Sequence, residues 1–195
     1  MRELAAKLGG EERALAVKCD VTEWDHVEAM VAAALEKFGR IDAVFANAGS
    51  GARRGYLEES PEHWRSMVLL NVYGVALTIR ATLPHMLERG TGHYLITSSV
   101  AGRRALPGSL YSATKHAAGA IGEGLRLELR QMDDNDQIRV TLIEPGMVDT
   151  EFFDDGAPDW ALRDEDISRA VVWALDQPDH VEVNEILVRP TKQPM

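Results

Sequence analysis

Two residues four positions apart, Tyr111 and Lys115, are the pair in this sequence whose types and spacing are best suited to chemistry. On a helix, positions i and i+4 stack on one face, so a phenol and an ammonium there look into the same cleft. An undisturbed phenol titrates near pH 10. A cation about 4 Å away, at an effective dielectric of about 20, is worth about 4 kcal/mol, or roughly three pKa units. Such a shift brings the tyrosine proton within reach of neutral-pH acid–base catalysis. Two serines, Ser98 and Ser99, precede the tyrosine at the end of the apolar run HYLIT. A serine hydroxyl bonded to a substrate oxygen, while the tyrosine moves a proton to or from it, suits the interconversion of a carbonyl and an alcohol. Tyr and Lys at this spacing also occur on solvated helix faces, and it is the serine pair that singles the stretch out. A competing pattern overlaps it: Ser112-Ala113-Thr114-Lys115 is an S-x-x-K of the kind serine acylases use, although no K-T-G or S-D-N follows.

Positioning these groups requires a strand, a loop and a helix in succession, and the chain supplies that alternation throughout. Short apolar runs at Ala14–Cys19, Ile41–Ala46, His93–Thr97, Ile138–Ile143 and Asn184–Val188 predict buried strands. Residues 2–8 read as the tail of a helix ended by Gly9-Gly10. Thr22 with Asp25 predicts a capping box for a helix to about Phe38, with Gly39 past its end. Ser60-Pro61-Glu62 opens a long helix through Asn71 that Pro84 should kink or restart. The Tyr111 helix is expected to run to about Met132, an acidic turn covers Asp133–Asp136, and a further helix spans about Asp164 to Asp176. Strands alternating with helices predict an α/β fold with a mostly parallel sheet, in which ligands bind beyond the carboxyl ends of the strands.

Composition narrows the function further. The chain has 195 residues, enough for one substantial core, and neither a repeat nor a low-complexity segment divides it. A net charge of −10 argues against nucleic acid or an anionic membrane as partner. The single cysteine, Cys19, allows no internal disulfide and points to a reducing compartment, the cytoplasm. No apolar run reaches the length of about 18 to 20 residues that spans a membrane, and the N-terminus lacks a signal-peptide core. The six histidines show no metal-ligand spacing, so no metal site is expected.

The pattern S-S-V-A-G followed by Y-S-A-T-K resembles the short-chain dehydrogenase/reductase family, and the resemblance covers essentially the whole chain. It implies a Rossmann-like doubly wound parallel sheet and an NAD(P)-dependent oxidoreductase that interconverts a carbonyl and an alcohol. By that resemblance Tyr111 is the acid or base, Lys115 lowers its pKa and holds the cofactor ribose, and Ser99 polarises the substrate oxygen. The Ser-to-Tyr spacing is one residue short of the family's, which leaves Ser98 as an alternative. Asn71 matches the family's active-site Asn, which orders a water on the proton path. Asp20, with Val21 beside it, resembles the aspartate that meets the adenine amino group. Asn47-Ala48-Gly49 matches N-N-A-G apart from Ala46 at the first position. Pro145-Gly146-Met147-Val148-Asp149-Thr150 resembles the turn that holds the nicotinamide carboxamide, so Pro145, Gly146, Val148 and Thr150 join the implied cofactor contacts.

Residues 151–163 lie where the family places its substrate lid, with Phe152, Phe153 and Trp160 either lining a pocket or pinning the loop. Gly119, Gly122 and Gly124 after Lys115 each cost about 1 kcal/mol in a helix and suggest close approach of another helix. With the family's habit, they suggest a homodimer or homotetramer. The ending VNEILVRPTKQ resembles a branch containing NADP-dependent 3-hydroxy acid and serine dehydrogenases, which favours NADP over NAD.

No glycine-rich phosphate turn stands before Cys19, so the expectation is a single domain over 1–195 that lacks the family's first βαβ unit. That would leave the Ile41 strand with an unpaired apolar edge and the Ala14 strand without a neighbour. The alternative function is therefore a catalytically silent homologue acting as an oligomerisation partner.

Overall fold

The computed structural model describes residues 2–132, 137–152 and 156–193. The acidic turn at 133–136 and Phe153 lie outside the described residues. Four parallel strands, β1 (Ala43–Ala46), β2 (Thr91–Thr97), β3 (Gln137–Pro145) and β4 (Glu185–Val188), pair in the order β1-β2-β3-β4. They are joined through six helices: α1 (Arg2–Lys7), α2 (Trp24–Phe38), α3 (Pro61–Val68), α4 (Gly74–Arg89), α5 (Leu110–Arg130) and α6 (Asp164–Leu175).

The central strands β2 and β3 are apolar on both faces because both faces are covered. Successive side chains alternate between two cores. Tyr94, Ile96, Val140 and Leu142 pack with Val75 and Ile79 of α4 and Ala118, Leu125 and Leu129 of α5. Leu95 and Ile143 point the other way, onto Ala174 of α6. Full burial of each such aliphatic side chain contributes about 1.5–3 kcal/mol, which fixes the register and brings the strands' carboxyl ends to one rim.

Several expectations are corrected. Ala14–Asp20 is extended but belongs to no strand, and Leu15 within it is 44% exposed. The reason is the absence of a pairing neighbour: β1 has β2 on one side and an open edge on the other. Beside β1 lies an apolar groove of about 770 Å³, lined by Val31, Phe38, Ile41, Val44 and Val75 among others. The open edge itself is as the sequence predicts.

The capping box at Thr22 does not form. Thr22 turns back instead, donating both its backbone N–H and its hydroxyl to Asp20 Oδ1, and α2 begins after Glu23 without a side-chain cap. Pro84 does not restart its helix, which is continuous from α3 to Arg89. The lost hydrogen bond is outweighed by core packing of Thr82 and Met86 on either side.

The helix spanning Pro61–Arg89 is also long and apolar enough to cross a membrane by length and composition, contrary to the sequence expectation, and 44% of its apolar window is buried inside this fold. For Gly122 the close neighbour is the sheet and not another helix. A Cβ on Gly122 would lie 2.7 Å from Leu142, so Gly122 lets α5 settle onto the sheet, while Gly124 faces open space.

Candidate active site

The rim at the carboxyl ends of β2 and β3 is where the chemistry-bearing residues gather. Ser109 caps α5, its hydroxyl accepting from the Ser112 N–H at 3.2 Å. That fixes the first turn and directs Tyr111 and, one turn on, Lys115 toward the end of β2. Ser98 and Ser99 follow Thr97 directly, and their alternating directions separate their roles. Ser98 is buried, and its hydroxyl donates to the Lys115 carbonyl at 2.9 Å. Ser99 is the serine whose hydroxyl acts on the Tyr111 phenol, pulling its pKa downward; its oxygen accepts from Ala101 N–H at 3.1 Å, and its hydroxyl donates to the Pro145 carbonyl at 3.4 Å.

Lys115 is 4% exposed. Its Nζ donates to the Thr97 carbonyl at 2.9 Å and sits 5.7 Å from the centroid of the Tyr111 ring. Burial pushes the ammonium down to about 8. The three-unit drop expected for the tyrosine is absent. Burial holds the Tyr111 phenol above its ordinary value, and the hydrogen bond with Ser99 pulls it only part of the way back. An ammonium tied to a carbonyl and lying over the ring does not compensate for the dryness that opposes a phenolate.

Asn71 falls in a five-residue π-helical stretch, Leu69–Tyr73, between α3 and α4. Such bulges turn side chains out of the regular helical order and recur at functional sites. The buried amide of Asn71 clamps Ser50 at two points, accepting from its N–H and donating to its carbonyl, both at 2.9 Å. It also donates to Thr114 Oγ1 at 3.0 Å. Thr114 in turn donates to the Tyr111 carbonyl, so the loop after β1 is tied to the turn that carries the tyrosine.

Other expected contacts take their own places. Asp20 is exposed and engaged with Thr22. Val21 packs where a Cβ on Gly74 would lie. Asn47 Oδ1 accepts from Thr97 Oγ1 at 2.8 Å, and Ala48 borders the groove. Gly49 lies within close reach of both Asn71 and Lys115, since a Cβ there would sit 3.2 Å from Asn71 Oδ1 and 3.5 Å from Lys115 Nζ. Gly146 bonds Val188, and a Cβ on it would meet Gln193 and Pro190; in this structure its bareness therefore serves the C-terminal segment. Val148 bridges Leu162, which closes the base of the 151–163 segment, and Thr150 Oγ1 accepts from Phe152 N–H at 3.4 Å. Ser112 is 1% exposed with its hydroxyl accepting from Leu106 N–H, so the acylase pattern gives no reachable nucleophile. Among the described residues no group of three or more His, Cys, Asp or Glu is placed to hold a metal.

One structural pair was not singled out in the sequence. Arg103, just past the serine loop, donates from Nε to both oxygens of buried Glu144 at 2.8 and 2.7 Å and also pairs with Glu185. It joins the serine loop to the ends of β3 and β4. The only signal for it was opposite charge next to two motifs already noticed.

The residues at the nicotinamide end fit a nicotinamide dinucleotide by the chemistry of their donors. Lys115 Nζ has Thr97 O as its hydrogen-bond acceptor among the described residues and can offer its remaining protons to ribose hydroxyls. Gly49 leaves room beside it.

Fold and site together define a parallel α/β protein with a serine, tyrosine and lysine brought together at the strand ends. A short chain dehydrogenase family model matches residues 1–159, and the chain belongs to that family. It is 40% identical over 176 residues to an uncharacterized oxidoreductase of Staphylococcus saprophyticus, covering 88% of this chain and 73% of the relative. Its structure is similar to that of an alcohol dehydrogenase from the archaeon Thermococcus sibiricus complexed with 5-hydroxy-NADP, with a TM-score of 0.87 at 32% identity over 99% of this chain and 80% of that one. It is similar also to serine dehydrogenase from Escherichia coli, with a TM-score of 0.86 at 32% identity over 99% and 83% of the two chains.

Proposed function

We propose that this oxidoreductase family member interconverts a carbonyl and an alcohol with NADP or NAD, and that Tyr111, Lys115, Ser99 and Asn71 carry the site. The observation behind this reading is the convergence at one rim: Lys115 Nζ, tied to the Thr97 carbonyl at 2.9 Å, lies 5.7 Å from the centroid of the Tyr111 ring, and Ser99 leaves the same strand end. When bound, a nicotinamide dinucleotide supplies the hydride for reduction or takes it in oxidation. The chain's own groups handle the proton. Ser99 Oγ donates a hydrogen bond to the substrate oxygen, and the Tyr111 hydroxyl gives that oxygen its proton as the carbon becomes an alcohol; in oxidation the phenolate takes it back. Lys115 supplies positive charge beneath the ring and donors for the ribose. Asn71 holds the loop after β1 against the tyrosine turn.

The NADP preference draws support from the solved relative complexed with 5-hydroxy-NADP. Residues 151–163 act as the substrate lid of a single domain. A homodimer or homotetramer is part of the proposal, supported by exposed Val172, Trp173 and Leu187; light scattering that finds a stable monomer at micromolar concentration would sink it. The lone cysteine suits a cytoplasmic setting. The test is NADPH and NADH consumption by the purified chain with a panel of aldehydes and ketones. Turnover lost in Tyr111→Phe is the expected result, and a Tyr111→Phe variant as active as the parent would overturn it. The open β1 edge favours the second reading, a silent oligomerisation partner. Calorimetry separates the two, because that reading requires no NAD(P)H binding.

A further inference from the structure

The loop that leaves β3 is tied to Leu162 at its base: Leu162 N–H donates to Met147 O at 2.9 Å and Asp149 N–H to Leu162 O at 2.8 Å. From this loop Phe152 reaches back across the site. Its ring centroid lies 5.9 Å from that of Tyr111, tilted by 57°. On its other side two ring carbons of Phe152 come within 2.9 and 3.0 Å of where a Cβ on Gly51 would stand. Only a residue without a side chain at 51 leaves this space free.

The seat is also held in place. Ser50, one residue before it, is clamped at backbone N–H and carbonyl by Asn71, and the Gly51 carbonyl bonds His63 Nε2 at 2.8 Å. A fixed glycine, an aromatic ring and the phenol therefore meet in one contact that joins two loops to the first turn of α5. Aromatic pairs prefer such tilted geometry.

We infer that Phe152, seated on Gly51, is the specificity-determining wall of the substrate pocket, selecting carbonyl compounds whose substituent on the Tyr111 side is compact and apolar. This rests on the oxidoreductase reading of the site. An aromatic ring beside the phenol offers no polar group to a substituent there and occupies the room that a bulky one would need. The same ring keeps water from the phenol, in keeping with the upward push that burial gives Tyr111. Asn71, by fixing Ser50, positions the seat as well as the tyrosine turn.

The test compares Phe152→Ala, Phe152→Leu and Gly51→Ala with the parent, using a methyl ketone and the matching phenyl ketone as probes. Phe152→Ala is expected to shift the ratio of kcat/KM toward the phenyl ketone by about tenfold or more, the scale on which apolar pockets discriminate by size. Phe152→Leu should shift it less. Gly51→Ala should shift it in the same direction by displacing the ring without itself facing the substrate.

A second readout is independent of turnover. Ultraviolet titration of the phenols, with the matching Tyr111→Phe variant subtracted, should show the Tyr111 midpoint falling toward its ordinary value in Phe152→Ala. An unchanged ketone ratio in an active enzyme, or an unmoved Tyr111 titration, overturns the inference. If no ketone is turned over by any form, it is the oxidoreductase reading that fails, and the titration alone then decides whether Phe152 covers the phenol.

Discussion

The two sides of the cleft are built differently. On the α5 side, Ser98, Ser99, Tyr111, Thr114 and Lys115 each have a hydrogen-bond partner inside the protein, and the strands beneath them are paired on both edges. On the β1 side, Asp20 is exposed, the Ala14–Asp20 segment has no ladder, and Phe45 is 43% exposed on a strand with one neighbour. Acid–base groups need fixed distances, and only doubly paired strands with a capped helix supply them. β1 is joined to this frame by its ladder with β2, and the loop after it by Asn71, whose clamp on Ser50 carries order from the long helix.

The largest effect expected is on the paired side. Tyr111→Phe should lower kcat/KM by about 10²- to 10⁴-fold, the usual weight of a general acid or base, while the urea midpoint stays close to that of the parent. A similar rate loss accompanied by a large drop in stability would assign the tyrosine a structural part instead.

Arg103→Ala comes next. It leaves the buried Glu144 carboxylate without its charge partner, and breaking such a pair costs about 3 kcal/mol, read as a shift in urea denaturation. Glu144→Gln should cost less, because no uncompensated charge remains.

A comparable effect follows from pH. His93 is 3% exposed in the centre of β2. Thr141 spends its hydroxyl proton on the Val183 carbonyl, so His93 Nε2–H is the donor to Thr141, and Nδ1 has no partner among the described residues. Burial, with Arg139 adding to it, pushes His93 down to about 4 from an ordinary 6.5. Its contribution is fully present above pH 6.5 and is lost as pH falls toward 4, about 3 kcal/mol in all. Stability measured across that window should fall less steeply in His93→Gln.

The smallest effect sharpens the contrast. Phe45→Thr on the open edge should stay within about 1 kcal/mol, since the side chain is already half in water. Leu95→Ala in the paired centre should cost about 3 kcal/mol. Equal costs would mean that the β1 face is covered in solution.

Much of this was legible in the chain. The runs at His93 and Ile138 gave strands because two-sided burial demands continuous apolar sequence, those at Ile41 and Asn184 gave the half-buried outer strands, and Gly39 marked the end of α2 through its left-handed φ of 75°. The Ala14 run failed because apolar character makes a strand only where there is an edge to pair with. Pro84 misled as a restart point because propensity is local and the packing that overrode it is not. Phe152 was noticed as a lining residue, but its seat on Gly51 was invisible, since loops 101 residues apart in sequence meet only after the sheet aligns them.

The sequence alone determined the alternation of elements, the Tyr111–Lys115 spacing on one helix face and the serine pair ahead of it, because these depend on periodicity and on near neighbours along the chain. Only the tertiary structure decided that Ser98 is spent on the Lys115 carbonyl, that the phenol is held up rather than down, and that Asn71 clamps Ser50. Each of those is set by burial and by contacts between distant segments, which no local pattern records.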